Sequence, residues 1–406
     1  MIEGLHAIVG SEGVLLSERE AYAVGGQTPA TVVAPQNEQE AAALVEYAVG
    51  QRLPFMVAGS GTHLSALQPP ESYSWTLCTR RMNRIVDYAP TDLVITVGAG
   101  MRLSEVQRVL GEYGQYLPWN PPLPDEATIG GIVASARSGS RRFRHGTPRD
   151  RLLALRAVRG DGVPFKSGAK VVKSVAGYDL HRLLCGSWGT LAIITEITLK
   201  VAPLPPKRQA VRWRAPSWDA VEPTLAKLMA SPLQPDCLDL LQLEQDAAQP
   251  PVFLMEFSGS EVGVEWQIRW LRENFHEASL ELVPVAELEP LRDWLAPRHH
   301  RLLVKVLMRS SEVVDWMQRL ASIEGCALYA HAGSGILYAA CETEPSAMQL
   351  LRSLRESPLK WQVLRWVGEP VRAGVGERFA QAGTARLAAR LKQAFDPHHL
   401  LPTLPY

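Results

Sequence analysis

Three clusters of glycine and small polar residues stand in the first half of this 406-residue chain. Gly59-Ser60-Gly61-Thr62 follows the apolar run Leu53-Pro-Phe-Met-Val57. Glycine there lets a backbone approach a ligand closely and aim its N–H groups at a phosphate. Thr128-Ile-Gly130-Gly131 is joined by Ile132-Val-Ala-Ser135 to Ser138-Gly139-Ser140, a pattern suited to backbone lying against something flat or anionic. Gly186-Ser-Trp-Gly189-Thr is a glycine turn that feeds an apolar run through Ile193 and Ile194. Each cluster alone also reads as a tight turn. None is a Rossmann fingerprint, which needs a third glycine and an immediately following helix, and His63 to Pro70 provides neither. Three clusters in one domain are harder to explain as turns.

Between the second and third clusters lie eight arginines from Arg137 to Arg159, against one acid, Asp150. They suit a nucleic-acid patch, a partner surface, or a solvated face with some guanidinium groups paired to a cofactor pyrophosphate. Single-strand binders stack bases on aromatic rings, and this stretch offers only Phe143. Lysine plus arginine (42) equals aspartate plus glutamate (42), so no global field recruits nucleic acid or anionic lipid, and neither is expected as a partner. The five cysteines are dispersed without a C-x-x-C pair, which argues against iron–sulfur centres, zinc ribbons and a disulfide framework. The pairs His299-His300 and His398-His399 read as surface residues, and no metal site is expected.

These groups need elements to hold them. Hydrophobic residues at 46% and charged residues at 21% suit a globular chain, and its length suits two or three domains. The N-terminus shows no basic region followed by an apolar stretch, and the longest uncharged apolar run, Leu183 to Thr195, is too short for a bilayer. A soluble, cytoplasmic chain is the expectation. Thr31–Ala34 and Leu53–Val57 read as strands around a helix that Asn37 and Glu40 cap and Gly50 stops, one β-α-β unit. Ser104 with Gln107 signals a second helix with Leu103, Val106 and Leu110 as its apolar stripe. Leu152–Arg159 and Val163–Lys166 flank the hairpin signal Gly160-Asp161-Gly162. Leu191, Ile193, Thr195, Ile197, Leu199 and Val201 alternate as a half-buried strand should. Pro203, Pro205 and Pro206 then interrupt any sheet, which marks a domain boundary. Beyond it stand eight of the eleven tryptophans, with strand-like runs at 238–243, 252–257, 302–308, 327–331 and 336–341 and helical stretches at 311–321 and 345–356. That is the pattern of an α+β domain. A last helix runs from Ala385 to Phe395, with Thr384 as its cap and Asp396-Pro397 as its stop.

The three clusters, in this order, resemble the FAD-binding domain of the vanillyl-alcohol-oxidase or PCMH-type flavoproteins. The resemblance rests on Val57-Ala-Gly-Ser-Gly-Thr62, Ala127-Thr-Ile-Gly-Gly-Ile132, the segment Ser138 to Asp150, Gly177-Tyr-Asp-Leu180 and Gly186 to Glu196. It implies a two-subdomain FAD-binding domain over residues 1–203, an α+β cap (substrate) domain over 204–370, and a C-terminal helical segment, 371–406, returning to the FAD domain. It also implies non-covalent FAD held by backbone amides. Gly59, Ser60, Gly61 and Thr62 would lie on the pyrophosphate, Thr128, Gly130, Gly131, Ser138 and Gly139 along pyrophosphate and isoalloxazine, and Ile193 beside flavin or adenine.

Within that family the D-2-hydroxyacid dehydrogenase group fits best. Its substrate domain carries a histidine in a motif similar to His331-Ala-Gly-Ser-Gly-Ile-Leu-Tyr338, and its chains close on a phrase similar to Leu391-Lys-Gln-Ala-Phe-Asp-Pro397. The chain departs from the catalytic members at Tyr338, where they have a second histidine, and at Ser334 and Ile336, where they have an acid-amide pair. It departs again at Glu377-Arg-Phe, where they have Glu-His-Gly. His331 is therefore a catalytic candidate without the usual companions, and reads more readily as a turn-stabilising histidine than as a ligand. Both departures resemble the flavoproteins of multi-subunit glycolate oxidase (glycolate dehydrogenase). The partners this implies are a catalytic sister flavoprotein and an iron–sulfur subunit, a small 2-hydroxy acid as substrate, and at most peripheral membrane association through the complex. Two alternatives stay open: a self-sufficient FAD-dependent D-2-hydroxyacid dehydrogenase, and a non-catalytic scaffold.

Overall fold

The computed structural model describes residues 2–67, 69–70, 73–170, 178–243, 249–275, 279–367 and 382–403. They cluster into two compact units. The first takes the described residues of Met1–Ser138, Thr147–Leu204 and Glu377–Tyr406, and the second those of Gly139–Gly146 and Pro205–Gly376.

The first unit holds two main sheets. Strands Thr31–Val33, Trp75–Cys78 and Phe55–Ala58 run parallel in that spatial order. The β-α-β unit over residues 31–58 is thus present, with Trp75–Cys78 inserted between its two strands. Its helix, Glu38–Gln51, starts where expected, because the Asn37 side chain accepts from the Glu40 N–H at 2.8 Å. It stops later than expected. Gly50 stays helical, and Arg52 takes the left-handed conformation at φ 52°. Apolar Ala41, Leu44, Val45 and Ala48 turn inward onto Phe55, Trp75 and Leu77.

The other sheet is antiparallel, in the order Ile85–Ala89, Val94–Gly98, Ala192–Lys200, Leu152–Arg159, Pro164–Gly168. Its central strand, Ala192–Lys200, is buried along almost its whole length rather than half-buried, since apolar layers cover both faces. Strand pairing slips by one residue here. Arg156 faces Glu196 but Ala157 faces Ile194, which leaves Thr195 as a bulge. The helix Leu103–Gly111 buries the expected Leu103, Val106 and Leu110, but its cap lies ahead of Ser104: Glu105 accepts from the Arg102 N–H at 3.2 Å. Gln107 instead clasps Leu117, donating to its carbonyl at 2.6 Å and accepting from its N–H at 3.0 Å.

The closing helix, Ala382–Phe395, begins ahead of Thr384, whose side chain lies outside the described residues. Lys392 Nζ donates to the carbonyls of Thr190, Leu401 and Pro402, and pairs with Asp396 at 2.7 Å. Asp396 is fully buried and accepts from the N–H groups of Leu400 and Leu401, each at 3.0 Å. This is the physical content of the Leu391–Pro397 phrase: a mostly covered lysine and a buried aspartate hold the segment that follows the helix. Removing either charge strands the other, a loss of about 3–5 kcal/mol for a buried pair.

The second unit is built on one eight-stranded antiparallel sheet. Its order is Glu281–Val283, Lys207–Arg214, Val252–Gly259, Cys237–Gln242, Cys326–His331, Ile336–Cys341, Leu302–Leu307, Lys360–Arg365. Side chains alternate across it. Leu238, Leu240, Phe253, Met255, Leu328 and Leu337 point to one face and form a core with four helices: Val221–Met229, Glu261–Asn274, Val313–Ala321 and Glu344–Arg355. The other face carries Asp239, Glu256, Tyr329, His331 and Tyr338, all buried.

The segment Gly139–Gly146 reverses an expectation. It interrupts the first unit in sequence but belongs to the second, because ion pairs hold it there. Arg141 forks onto Glu256 at 2.9 and 3.1 Å, and Glu256 also takes Arg208 at 2.6 Å. Arg144 and His145 reach Asp236 Oδ1 at 2.9 and 3.2 Å. Elsewhere in the arginine-rich stretch, Arg156 pairs with Glu38 and Arg159 with Asp161. At least four of the eight arginines are thus spent on carboxylates of the chain itself. His300 also departs from expectation: it is buried, held by Trp294 O at 2.6 Å and Glu342 at 3.0 Å, whereas His299, His398 and His399 are exposed.

Candidate functional site

The three glycine clusters meet in the first unit around a cavity with about 650 Å³ of empty space, part of it open to solvent. The strand Phe55–Ala58 delivers the turn Gly59–Thr62 to its rim. The Gly59 carbonyl is fixed by Tyr22 Oη at 3.2 Å and Cys78 Sγ at 3.3 Å, and Gly61 takes φ +78°, which glycine adopts without strain. A Cβ on Gly59 would run into the Thr128 hydroxyl, so these two clusters interlock. Thr128 Oγ1 in turn accepts from the Gly131 N–H at 3.1 Å and caps Ile129–Ser135. From the third cluster, Trp188 donates its backbone N–H to Ala134 O at 2.8 Å, and Gly189 bends at φ +72° against Val57.

Of the residues expected at the cofactor, Gly59, Ser60, Gly61, Thr62, Thr128, Gly130 and Gly131 line this cavity. Three do not. Ile193 is wholly buried in the apolar layer with Phe55 and Val158, while its neighbour Ile194 faces the cavity. The Thr195 bulge is the reason: a one-residue slip exchanges the two faces of a strand. Ser138 is buried at the end of a first-unit segment, its Oγ without a partner among the described residues. Gly139, at φ +82°, starts the segment that belongs to the second unit.

The glycines do different work. A Cβ on Gly130 would sit 2.7 Å from the Ala99 carbonyl, so the fold itself requires glycine there. On Gly131 it would meet only Thr128 Oγ1, at 3.1 Å, a tight contact that a side chain can relieve by a small shift where the Ala99 backbone cannot.

His63 was not legible as a site residue. It lies directly after the first turn and lines the cavity, with Nδ1 2.9 Å from Thr62 Oγ1. Burial, and then the charge of Arg137, hold its pKa well below the usual histidine value. Its Nε2 and the Ser60 Oγ are both enclosed without a hydrogen-bond partner among the described residues. The N–H groups of Ser60, Gly61, Thr62 and His63 likewise find no partner there. Buried polar atoms are nearly always satisfied, so the enclosed Ser60 Oγ and His63 Nε2 beside a turn of open N–H groups ask for a ligand. Apart from the hydroxyls of Thr79, Thr128 and Ser135 the walls are mainly apolar (Val57, Leu64, Leu67, Trp188, Ala192, Ile194), and no carboxylate lines them among the described residues. Spare volume, a glycine-built turn, open donors and apolar walls together fit a dinucleotide with a flat aromatic end.

Residues 29–167 match the family described as FAD binding domain. This stretch is an FAD-binding domain. FAD is the cofactor the chain takes, and Gly59–Thr62, Thr128, Gly130 and Gly131 line the cavity of this domain. The chain is similar to glycolate oxidase subunit GlcE of Escherichia coli (strain K12), 41% identical over 40% of this chain and 46% of that protein. It is also similar to glycolate oxidase subunit GlcD of Bacillus subtilis (strain 168), 31% identical over 56% of this chain and 47% of that protein. The matched stretches thus span just under half the length of either relative. Among solved structures, an alkyldihydroxyacetonephosphate synthase superposes on 98% of this chain and 83% of its own with a TM-score of 0.75, at 15% identity. The two proteins share a fold, and in this chain it is α+β.

The polar face of the second unit gathers a separate constellation. His331 Nδ1 lies 3.2 Å from Asp239 Oδ1, and Tyr329 Oη donates to Asp239 Oδ2 at 3.0 Å. Tyr338 stands edge-on to the His331 ring, centroids 5.2 Å apart. Asp239 is 1% exposed and His331 2%, and His331 Nε2 has no partner among the described residues. The sequence pointed to His331 but not to Asp239, which stands 92 residues earlier and meets it only through strand pairing. Ile336 and Tyr338 are buried, and the Glu377 region lies outside the described residues. No group of three or more His, Cys, Asp or Glu able to hold a metal occurs among the described residues.

Proposed function

We propose that the chain is an FAD-dependent oxidoreductase, and in particular the FAD-binding subunit of a glycolate oxidase or dehydrogenase complex, of the kind that GlcE represents. The observation that carries this reading is the glycine-built cavity with unsatisfied donors inside the FAD-binding domain, joined to sequence similarity to two named glycolate oxidase subunits. FAD, when bound, accepts the hydride that leaves a hydroxyl-bearing carbon and passes the electrons onward. The chain's part is to hold and orient it through the turn at Gly59–Thr62, the Thr128–Gly131 cap and the Trp188–Ile194 wall. Oxidation of a 2-hydroxy acid also needs a base for the hydroxyl proton and a cation or metal for the carboxylate. The departures at Ser334, Ile336, Tyr338 and Glu377 remove the groups that resembling dehydrogenases use, so those roles pass to a sister flavoprotein, with iron–sulfur centres on a third chain. No helix among the described residues is long and apolar enough to cross a membrane, and a cytoplasmic chain attached to a membrane only through partners accords with that.

One observation favours a second reading, a self-sufficient dehydrogenase. A carboxylate that fixes Nδ1 of a histidine leaves Nε2 free to take a proton, and Asp239 and His331 stand in that relation. Co-purification with native partners, with flavin content and glycolate-dependent dye reduction measured on each species, separates the readings. The first reading expects a yellow protein that is inactive alone and active in the complex, with His331→Ala costing the complex little. Full activity of the isolated chain, lost in His331→Ala, would establish the second reading instead, and a colourless protein would leave only a scaffold.

A further inference from the structure

The mode of FAD binding implied by the glycine clusters relies on backbone amides, yet the cavity also presents one titratable side chain. His63 closes the Gly59–Thr62 turn. Its ring stands edge-on to Trp188, centroids 6.5 Å apart, and Nδ1 is engaged by Thr62 Oγ1 at 2.9 Å. Only Nε2 is left over, enclosed and without a partner among the described residues. If the ring served only as packing against Trp188, that nitrogen would be buried at a cost with nothing to offset it.

We propose that His63 is a cofactor-contact residue whose Nε2 donates a hydrogen bond to the diphosphate of bound FAD. This rests on the assignment of residues 29–167 as the FAD-binding domain. The neighbours select the diphosphate rather than the ring system as acceptor. Ser60 Oγ and the N–H groups of residues 60–63 are open donors within the same turn, a density of donors that suits an oxygen-rich anion. No carboxylate lines the cavity among the described residues. The strand end at Val57–Ala58, the cap at Thr128–Ser135 and the Trp188–Ile194 wall bring no titratable side chain to it. The charged group that acts on the ring is Arg137, itself buried to 4% exposure, and it makes the region electropositive.

The protonation state follows. Burial first, and Arg137 second, keep the free imidazole neutral near pH 7. With the Thr62 hydroxyl donating to Nδ1, the remaining proton sits on Nε2, where a donor is needed. An arriving diphosphate brings negative charge to that nitrogen and favours the imidazolium, so the His63 pKa rises on binding. Binding then takes up protons, and FAD affinity increases as the pH is lowered.

The test uses the full chain freed of flavin, titrated with FAD by flavin fluorescence, with ADP as a competitor that carries the diphosphate and riboflavin as a probe that lacks it. A charge-assisted hydrogen bond predicts that His63→Ala and His63→Asn weaken FAD and ADP about 10- to 100-fold and leave riboflavin unchanged. His63→Gln, whose amide nitrogen stands in for Nε2, keeps affinity to within about threefold. Wild-type affinity for FAD improves from pH 8 to pH 6, and this slope disappears in His63→Gln. Should His63→Ala melt early, the size-matched Asn and Gln variants carry the comparison. Unchanged FAD and ADP affinity in His63→Asn, or a riboflavin loss as large as the ADP loss, overturns the contact while leaving FAD binding intact. A wild-type chain with no affinity for FAD overturns the domain assignment together with it.

Discussion

The two units treat buried polar groups in opposite ways. In the FAD-binding unit the turn Gly59–His63 leaves Ser60 Oγ, His63 Nε2 and a run of N–H groups open toward a cavity. In the second unit the carboxylates find partners within the unit: Glu256 takes two arginines, Asp236 an arginine and a histidine, and Asp239 a tyrosine and a histidine. Open donors beside empty volume mark a place prepared for a ligand. Polar groups that satisfy one another mark a place prepared to be rigid, and among the described atoms that break the pattern His331 Nε2 is the one that keeps a catalytic reading alive.

The largest expected effects divide two adjacent glycines of the cavity. Gly130→Leu should yield no folded protein, because its Cβ is directed into the Ala99 backbone at 2.7 Å. Gly131→Leu should fold, with a melting temperature near that of the wild type, and lose FAD by more than about 100-fold, since its side chain occupies the cofactor's space. Full flavin occupancy in a folded Gly131→Leu protein would show that FAD does not bind in this cavity.

A middle-sized effect belongs to the second unit. Asp239→Ala leaves the Tyr329 hydroxyl and His331 Nδ1 without an acceptor inside the sheet, at about 1–3 kcal/mol for each stranded group. Urea denaturation should record that loss while flavin content stays constant. Loss of flavin with unchanged stability would erase the contrast between the units.

Acid sharpens the contrast further. Burial alone would raise the Asp236 carboxyl, but hydrogen bonds from His145 and Ser258, with the charges of His145 and Arg144, hold it below its ordinary value. A carboxylate lowered in the folded state stabilises above its unfolded pKa of about 3.9 and loses that contribution as pH falls through the folded value. Stability measured from pH 5 to pH 2 should therefore fall over the lower part of that range, and Asp236→Asn should flatten the fall. A variant that tracks the wild type would show that Asp236 does not clasp Gly139–Gly146.

The smallest expected effect is none. With Arg141, Arg144, Arg156 and Arg159 already on carboxylates, the arginine-rich stretch should not bind random duplex at physiological salt in an anisotropy titration. Micromolar affinity that collapses with added salt would contradict it.

Local chemistry was legible from the chain alone. The glycine clusters announced a cradle because glycine lets the backbone come close to a ligand, and the apolar runs 336–341 and 302–308 announced themselves as strands. The Asn37 cap was legible for the same reason: its partner is three residues away. What the tertiary structure decided is everything that depends on residues distant in sequence or on a slipped register. Family resemblance put Ile193 beside the cofactor, whereas next to the bulged Thr195 it is Ile194 that lines the cavity. The run Gly139–Gly146 looked like part of a cofactor loop, and carboxylates about 90 to 115 residues further on claimed it. His63 looked like a loop residue until burial left one of its nitrogens without a partner. A sequence carries backbone preference and periodicity within a few residues. Burial, which turns an idle polar atom into a binding group and an arginine into a clasp, exists only once distant segments have excluded water from it.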